Sequence, residues 1–305
     1  MDKIKLTIAT DKRFLKPIEG DGYIDNVILE DNLLVKELEN FGFDVDRTYW
    51  DNPNYEWSSV NGVIIRAAWD YHYDIDRFKQ WLELVESKTT LIHSKSIVYW
   101  NLNKSYLLDL IKQQIPVVST HIVKVGESLN EIITTKGWQD IVIKPTVSAG
   151  GKDTFFIRFK EVSDFEIKFK ELCLKQEMMV QPFMSSILSE GEITLVVLDG
   201  KYSHAIKKLA QKGDFRVQDD FGGTVHEYTP TQELIDFAEK VFTQLPFKTV
   251  YGRVDLIKNE NKWLVSELEL IEPELWFRNK QGSAHQMAKG IKKSLHQNSK
   301  QELVK

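Results

Sequence analysis

The sequence predicts an α/β (α+β) protein in which a small parallel-sheet lobe precedes lobes built from antiparallel hairpins. Three observations carry that reading. Strand-like and helix-like apolar spacings alternate through the first third of the chain, two apolar runs are joined by Asp199-Gly200, and two runs of period two flank a polar turn at Asn259–Asn261. The 305 residues suffice for two or three compact lobes.

KLTIA reads as the first strand, and Val27, Leu29, Leu33, Leu34 and Leu38 place an apolar face on a helix from Asn26 to Asn40, ended by Gly42. GVIIR is a second strand, and Phe78, Trp81, Leu82 and Val85 mark a helix from Arg77 to Val85. Strand, helix, strand, helix implies a parallel sheet, closing near Ser96. NLNKSYLLDLIKQQIPVV then reads as one capped helix running into a strand. DIVIKP and TFFIRF flank a glycine-containing turn as a hairpin, Ser163 with Glu166 reads as a capping box for a helix carrying Phe165, Phe169 and Leu172, and MMVQPF is a further strand. EITLVVL pairs with KYSHAIKKL across Asp-Gly, Thr229 before Pro230 and Gln232 opens a helix to Val241, and GRVDLIK pairs with WLVSELEL before a last helix and a polar tail. No internal repeat is present.

Hydrophobic residues make up 42% and charged residues 28% of the chain, with a formal net charge of −5, an ordinary globular balance that argues against nucleic acid as a partner. The absence of an 18-residue apolar run and of a signal-peptide pattern leads us to expect a cytoplasmic protein with no membrane partner. Cys173, the only cysteine, falls on the inner face of a helix with no electropositive neighbour, so it reads as packing rather than as a nucleophile.

The chemistry concentrates in the last hairpin. Arg253 and Asp255 lie two apart on one strand, Glu267 and Glu269 two apart on the next, and the turn brings both pairs to one face with Val254, Leu256, Leu268 and Leu270 opposite. Three converging carboxylates repel one another unless a cation sits among them, and magnesium, which takes oxygen ligands and nucleotide phosphates together, is the natural occupant. The competing explanation is a solvated hairpin face. Arg253 counts against it, because on the same patch it neutralises charge on a transferring phosphoryl group. In IKPTVSAGGKDTFF, Lys144 ends a strand and Ser148, Gly150 and Gly151 form a turn whose backbone N–H groups can approach a phosphate. The segment RAAWDYHY follows a strand of the parallel sheet, where ligands gather, so Arg66, Trp69, Asp70 and His72 are expected to bind a zwitterionic, amino-acid-like substrate. Alternatively, Trp69 and Tyr71 pack in the core and Arg66 pairs with Asp70.

The order of NLNK, IKP with its glycine turn, QPFM, EGE, GDFR, RVD and ELE resembles the ATP-grasp superfamily over essentially the whole chain. WDYH, WNLNK, VSAGG, GDFRVQ and ELELIEPEL are similar to the small ligases typified by the cyclo-ligase of cycloserine biosynthesis. GDFR followed by paired glycines is similar to bacterial glutathione synthetase and the RimK-type glutamate ligases. The resemblance implies a pre-ATP-grasp substrate lobe at 1–97, a central subdomain at 98–184 and a C-terminal subdomain with the metal site at 185–305, the last two sandwiching ATP. It implies that Lys104 and Lys144 hold the phosphates beneath Ser148, Gly150 and Gly151, that Gln181, Pro182, Phe183 and Met184 form the adenine hinge, and that Glu192 grips the ribose. Lys208, or its neighbour Lys207, and Arg216 would face the γ-phosphate and acyl phosphate, with Arg253 stabilising the transition states. Asp255, Glu267 and Glu269 fall on the metal ligands, although many relatives, such as the D-alanine ligases, have asparagine at the position of Glu269. The implied activity is an ATP- and Mg2+-dependent carboxylate–amine ligase or intramolecular cyclo-ligase, working through an acyl phosphate and releasing ADP and phosphate, with a homodimer plausible from family habit. The alternatives are an ATP-grasp phosphotransferase, a protein-modifying ligase, and an ATP-binding regulatory module without turnover, in which Arg253, Asp255 and Glu267 would be dispensable.

Overall fold

The computed structural model describes residues 3–151, 153–217 and 222–302, with side chains to residue 297, so Gln218 of the GDFRVQ motif and the end of the polar tail lie outside the described residues. In the first lobe β1 (Lys5–Thr10), α1 (Gly22–Asn40), β2 (Asp44–Tyr49), β3 (Gly62–Ile65), α2 (Ile75–Lys88) and β4 (Thr90–Leu91) build a parallel sheet of order β2-β1-β3-β4. The central strand β1 is apolar because both its faces are covered, with Leu6, Ile8 and Ala9 buried. The edge strand β2 carries Asp44, Asp46 and Arg47 and escaped the sequence reading for that reason. Helix α1 starts earlier than its apolar spacing suggests, because Asp21 accepts the N–H groups of Tyr23 and Ile24.

The single helix expected over NLNKSYLLDLIK is two: α3 (Lys95–Leu102) and α4 (Tyr106–Lys112). Asn103 breaks it, its side-chain oxygen accepting the Ser105 N–H at 2.8 Å in competition with the helical ladder. Lys104 therefore sits in the break, its own N–H donated to the Thr146 carbonyl at 2.7 Å. The strand expected at Pro116–Val118 shrinks to an isolated bridge between Val117 and Val265.

The second sheet comprises β5 (His121–Ile122), β6 (Ile141–Pro145), β7 (Phe155–Ile157) and β8 (Met178–Pro182) in the order β5-β8-β6-β7, all antiparallel. It packs on α5 (Leu129–Lys136) and α6 (Val162–Lys175) through Ile132, Ile133, Ile141, Ile143 and Phe169. Cys173 packs against this core, and burial pushes its thiol pKa up, as suits a packing residue. The capping box at Ser163 does not form, since α6 already begins at Val162. Ser163 and Glu166 instead meet Asn130 and tie α6 to α5.

The third sheet follows α7 (Ser186–Ser189) and contains β9 (Glu192–Leu198), β10 (Lys201–Leu209), β11 (Thr224–Tyr228), β12 (Tyr251–Asn259) and β13 (Lys262–Glu269), ordered β11-β10-β9-β12-β13 and antiparallel throughout. Helix α8 (Gln232–Thr243) is capped by Thr231, whose hydroxyl accepts the Leu234 N–H, rather than by Thr229. One face of this sheet buries Leu195, Val254 and Leu268 against α4 and α8. The other meets the first lobe through α9 (Ser283–Glu302), which lies along α1. No helix among the described residues is long and apolar enough to cross a membrane.

His93 sits where the first lobe meets the third sheet. Its Nδ1–H donates to the Leu270 carbonyl at 2.6 Å and its Nε2 accepts the Val250 N–H at 2.9 Å, while the ring stacks on Tyr251 at 4.0 Å. Protonation would destroy the bond from Val250, and burial holds the imidazole at a pKa of about 4, below its ordinary 6.5. The unfolded chain therefore takes up the proton first. Stability from this group is complete above pH 6.5 and is lost as pH falls toward 4, a change of about 3 kcal/mol. Urea midpoints measured at pH 7 and pH 4.5 should show a drop that becomes smaller in His93→Gln.

Candidate active site

A cavity of about 550 Å³ opens between the second and third sheets and extends to the first-lobe segment 69–73. Its floor is the hairpin of β12 and β13. Arg253 stands opposite Glu269 and Asp255 opposite Glu267, with Val254 and Leu268 in the apolar core; Arg253, Glu267 and Glu269 line the cavity, whereas Asp255, 2% exposed, does not. After Asp255 the register shifts by one, leaving Ser266 as a bulge residue. The bulge turns the Ser266 hydroxyl to Glu192 at 2.9 Å and to the Asp255 carbonyl at 3.0 Å, fixing the start of β9 against the hairpin.

Cations and carboxylates alternate across this floor. Lys208 reaches Glu192 at 2.5 Å and Asp255 at 2.9 Å, Arg253 reaches Asp255 at 3.3 Å and pairs closely with Glu269, and Lys104 reaches Glu267 at 3.3 Å. Lys208 is the inward member of its pair of lysines, buried at the cavity wall, whereas Lys207 does not line the cavity. Burial opposes charge on Asp255 and Glu267, but Arg253 and Lys208 outweigh it for the first, and Lys104 and Lys144 for the second, so both carboxyls titrate below their usual range. Glu269 fares differently. Burial, with Asp255 and Glu267 nearby, outweighs Arg253 and pushes it to about 7. Lys144 is lowered by burial, with Glu267 opposing.

The roof is the turn between β6 and β7. Gly150 and Gly151 both hold φ near +60° to +67°, a conformation a side chain would strain. Lys104 donates from Nζ to the Ser148 carbonyl at 2.7 Å, so one lysine links this loop to Glu267. At the far end, Gln181, Pro182, Phe183 and Met184 line the cavity beyond β8. The Phe183 N–H is already donated to Asp140 at 2.8 Å, so Phe183 contributes its ring, which packs with Phe156 at 4.3 Å and with Phe215 at 6.1 Å. Phe215 carries the GDFR segment over the cavity. There Arg216 grips Asp214 at 2.7 Å and holds that carboxyl down at about 2.

The end of the cavity at the first lobe departs from the sequence expectation. Trp69 and His72 line the cavity, but Arg66 and Asp70 do not. Arg66 is only 2% exposed and points into the first lobe, paired with Glu30, 3.5 Å from Asp31 and donating to the Pro273 carbonyl at 2.7 Å. Ala67, with φ +45°, turns the chain just after it, which sends Arg66 and Trp69 to different sides. Asp70 accepts from the Trp50 indole at 2.7 Å, so neither packing partner is the one expected. His72 donates from Nδ1 to the Trp69 carbonyl at 2.7 Å in the tautomer that places the lone pair on Nε2.

Residues 102–282, well over half of the chain, match the RimK-like ATP-grasp domain model. The chain belongs to the RimK-like ATP-grasp family. Residues 6–93 match the model of the N-terminal domain of the D-cycloserine synthetase DcsG. The cycloserine biosynthesis protein DcsG of Streptomyces lavendulae is 28% identical over 269 residues, 79% of this chain and 86% of that protein. The crystal structure of D-cycloserine synthetase DcsG superposes with a TM-score of 0.83 at 24% identity, covering 95% of this chain and 99% of that one. D-alanine–D-alanine ligase from Bacillus anthracis gives 0.69 at 14% identity over 99% and 100%. This ATP-grasp protein is an ATP-dependent ligase, of a family that joins carboxylates to amines.

The ligase's donor set fits magnesium. Asp255, Glu267 and Glu269 offer only hard oxygens, yet no three acidic, histidine or cysteine groups among the described residues are gathered closely enough to cage an ion. The convergence expected from sequence is thus looser than a cage, each carboxylate leaning on a cation instead. That suits an ion that keeps waters and takes phosphate oxygens as further ligands. Sequence reasoning named Tyr71 only as packing, but that residue both stacks on Phe78 at 4.6 Å and lines the cavity beside Trp69. The same reading passed over Glu272, Glu274 and Trp276, which line the cavity after β13. Their signal was present in ELELIEPELWF, but no periodicity extends past Leu270 to say where those side chains go.

Proposed function

We propose that this ATP-grasp ligase activates a small amino-acid-like carboxylate as an acyl phosphate and passes it to an amine. The observation that supports this most is the cross-strand pairing of Arg253 with Glu269 and of Asp255 with Glu267, of which Arg253, Glu267 and Glu269 line one cavity that also reaches Met184 and His72 while Asp255, 2% exposed, lies behind them. Asp255, Glu267 and Glu269 would hold Mg2+, which when bound neutralises phosphate charge and draws the γ-phosphate into line. Lys104 and Lys144 bind the phosphates beneath Gly150 and Gly151, and Glu192 takes the ribose. A substrate carboxylate oxygen attacks the γ-phosphorus, and the bond to the β,γ-bridging oxygen breaks to release ADP. Arg253 and Arg216 stabilise the charge on the transferring phosphoryl group. An amine nitrogen then attacks the acyl carbon, phosphate leaves, and the amine proton passes to solvent. Lys208 buttresses Asp255 and Glu192. The division at residues 1–97, 98–184 and 185–305 remains our reading, with α4 lending its apolar face to the third sheet.

The test is ADP and phosphate release from ATP and magnesium, across pools of amino acids and small ureido or dipeptide-like acids. Stimulated release that falls at least ~100-fold in Glu267→Gln is expected. Nucleotide binding with no release from any pool would sink the reading.

A further inference from the structure

The ligase reading uses the hairpin floor but leaves the segment after β13 without a task. Glu272 belongs to that segment and lines the cavity, and it is only 7% exposed. No cation among the described residues lies within ion-pair distance of it. Its side chain meets the Tyr71 hydroxyl, and Glu269 is the charged group it feels most. A carboxylate buried this way, without a counter-charge, is costly. Burial pushes Glu272 up to about 8, Glu269 adding to the effect and outweighing the Tyr71 hydroxyl and the charge of Lys104, which does not come within ion-pair distance.

Two independent features bear on what supplies a close counter-charge. The walls beside Glu272 are aromatic: Tyr71 is stacked on Phe78 at 4.6 Å, and Trp69 is anchored by its indole donating to the Glu272 carbonyl at 3.0 Å. Aromatic faces attract cations, so these rings favour the same charge as the carboxylate does. Trp276, 2% exposed, also lines the cavity, and its indole N–H lacks an acceptor among the described residues. It also carries the Arg253 guanidinium over its ring at 4.9 Å. The cavity thus holds a buried carboxyl with no ion-pair partner and an indole N–H with no acceptor among the described residues.

We propose that Glu272 is the ammonium-binding residue of the acceptor chamber, so that the substrate is a compact zwitterion whose amino group meets Glu272 between Trp69 and Tyr71 while its carboxylate lies toward Arg253 and Trp276. This deepens the ligase reading and rests on it for the direction in which the carboxylate points. The geometry selects for a free amine: an N-acyl derivative brings no charge to Glu272 and adds bulk among the rings.

Binding is measured separately from turnover, by the quenching of indole fluorescence when amino-acid pools and their N-acetyl counterparts are titrated into protein holding a non-hydrolysable ATP analogue and magnesium. Glu272→Gln keeps the shape and the acceptor for Tyr71, and a melting curve checks its fold. The expected result is saturable binding of free amino acids only, weakened at least ~10-fold in Glu272→Gln while nucleotide affinity is unchanged. The proposal is overturned if N-acetyl acids bind as well as the free ones, if Glu272→Gln binds the free acids unchanged, or if neither pool binds. Phosphate release is read in parallel. Binding that depends on Glu272 without release would sink the ligase reading and leave the subsite standing, whereas release indifferent to Glu272 would do the reverse.

Discussion

Arg253→Ala is expected to lower ATP-dependent phosphate release by about 10³-fold, the range seen when a guanidinium that stabilises phosphoryl or acyl transition states is removed. Four contacts hold this side chain: Asp255 at 3.3 Å, Glu269, the Glu274 carbonyl at 3.3 Å and the Trp276 ring at 4.9 Å. Burial works against its charge, but Asp255 and Glu269 outweigh that and keep it charged at any working pH. Trp276 holds left-handed backbone angles of φ 47° and ψ 47°, costly for so large a residue, to bring its ring beneath the guanidinium. Lysine in place of Arg253 would keep the charge but lose the fork and the stacking plane, so Arg253→Lys should recover only part of the rate. Steady-state kinetics, with ATP affinity measured separately, check this. A kcat within tenfold of the parent in Arg253→Ala would remove Arg253 from the chemistry.

The largest stability effect is expected at a residue that stands outside the cavity. Arg66→Met should destabilise the protein by about 3–5 kcal/mol, because it takes the close counter-charge from buried Glu30 and leaves buried Asp31 with Arg47 alone. Glu30 and Asp31 are 2% and 1% exposed, and Arg66 lies between them. Glu30 also accepts the N–H groups of Leu275 at 2.8 Å and Phe277 at 3.2 Å, so the cluster clamps the segment carrying Glu272, Glu274 and Trp276 to α1. Burial raises the pKa of Asp31 even with Arg47 and Arg66 near, so losing one arginine tips it further toward protonation. Adding Asp31→Asn to Arg66→Met should restore part of the loss, which thermal melts of the single and double variants would reveal. An unchanged melting temperature in Arg66→Met would reduce the cluster to packing.

Local physics made much of this protein legible. Period-two alternation puts Arg253 with Asp255 on one face and Glu267 with Glu269 on one face, but the two pairs share a face only because the bulge at Ser266 shifts the register by one. The Asp199-Gly200 turn was equally readable, both residues taking the positive φ that such hairpins need. Where a side chain competes with the backbone, the reading failed. Asn103 splits one expected helix into α3 and α4 and turns Lys104 from a helix-surface position into a buried link between the glycine loop and Glu267.

The sequence by itself determined the hairpins, the parallel lobe and the family, since each rests on spacings of a few residues or on the order of motifs. Only the tertiary structure decided which of the chemically apt residues share a cavity. Arg66 and Trp69 are three apart in sequence, yet Arg66 is drawn to Glu30, 36 residues earlier, and to Pro273, 207 residues later, while Trp69 lines the cavity. A buried charge goes where opposite charge and hydrogen-bond partners already lie, and those partners come from remote segments whose approach no local spacing encodes. The same holds for Glu272, which is one acid among several in ELELIEPEL until folding buries it beside Tyr71, out of ion-pair reach of every lysine and arginine among the described residues.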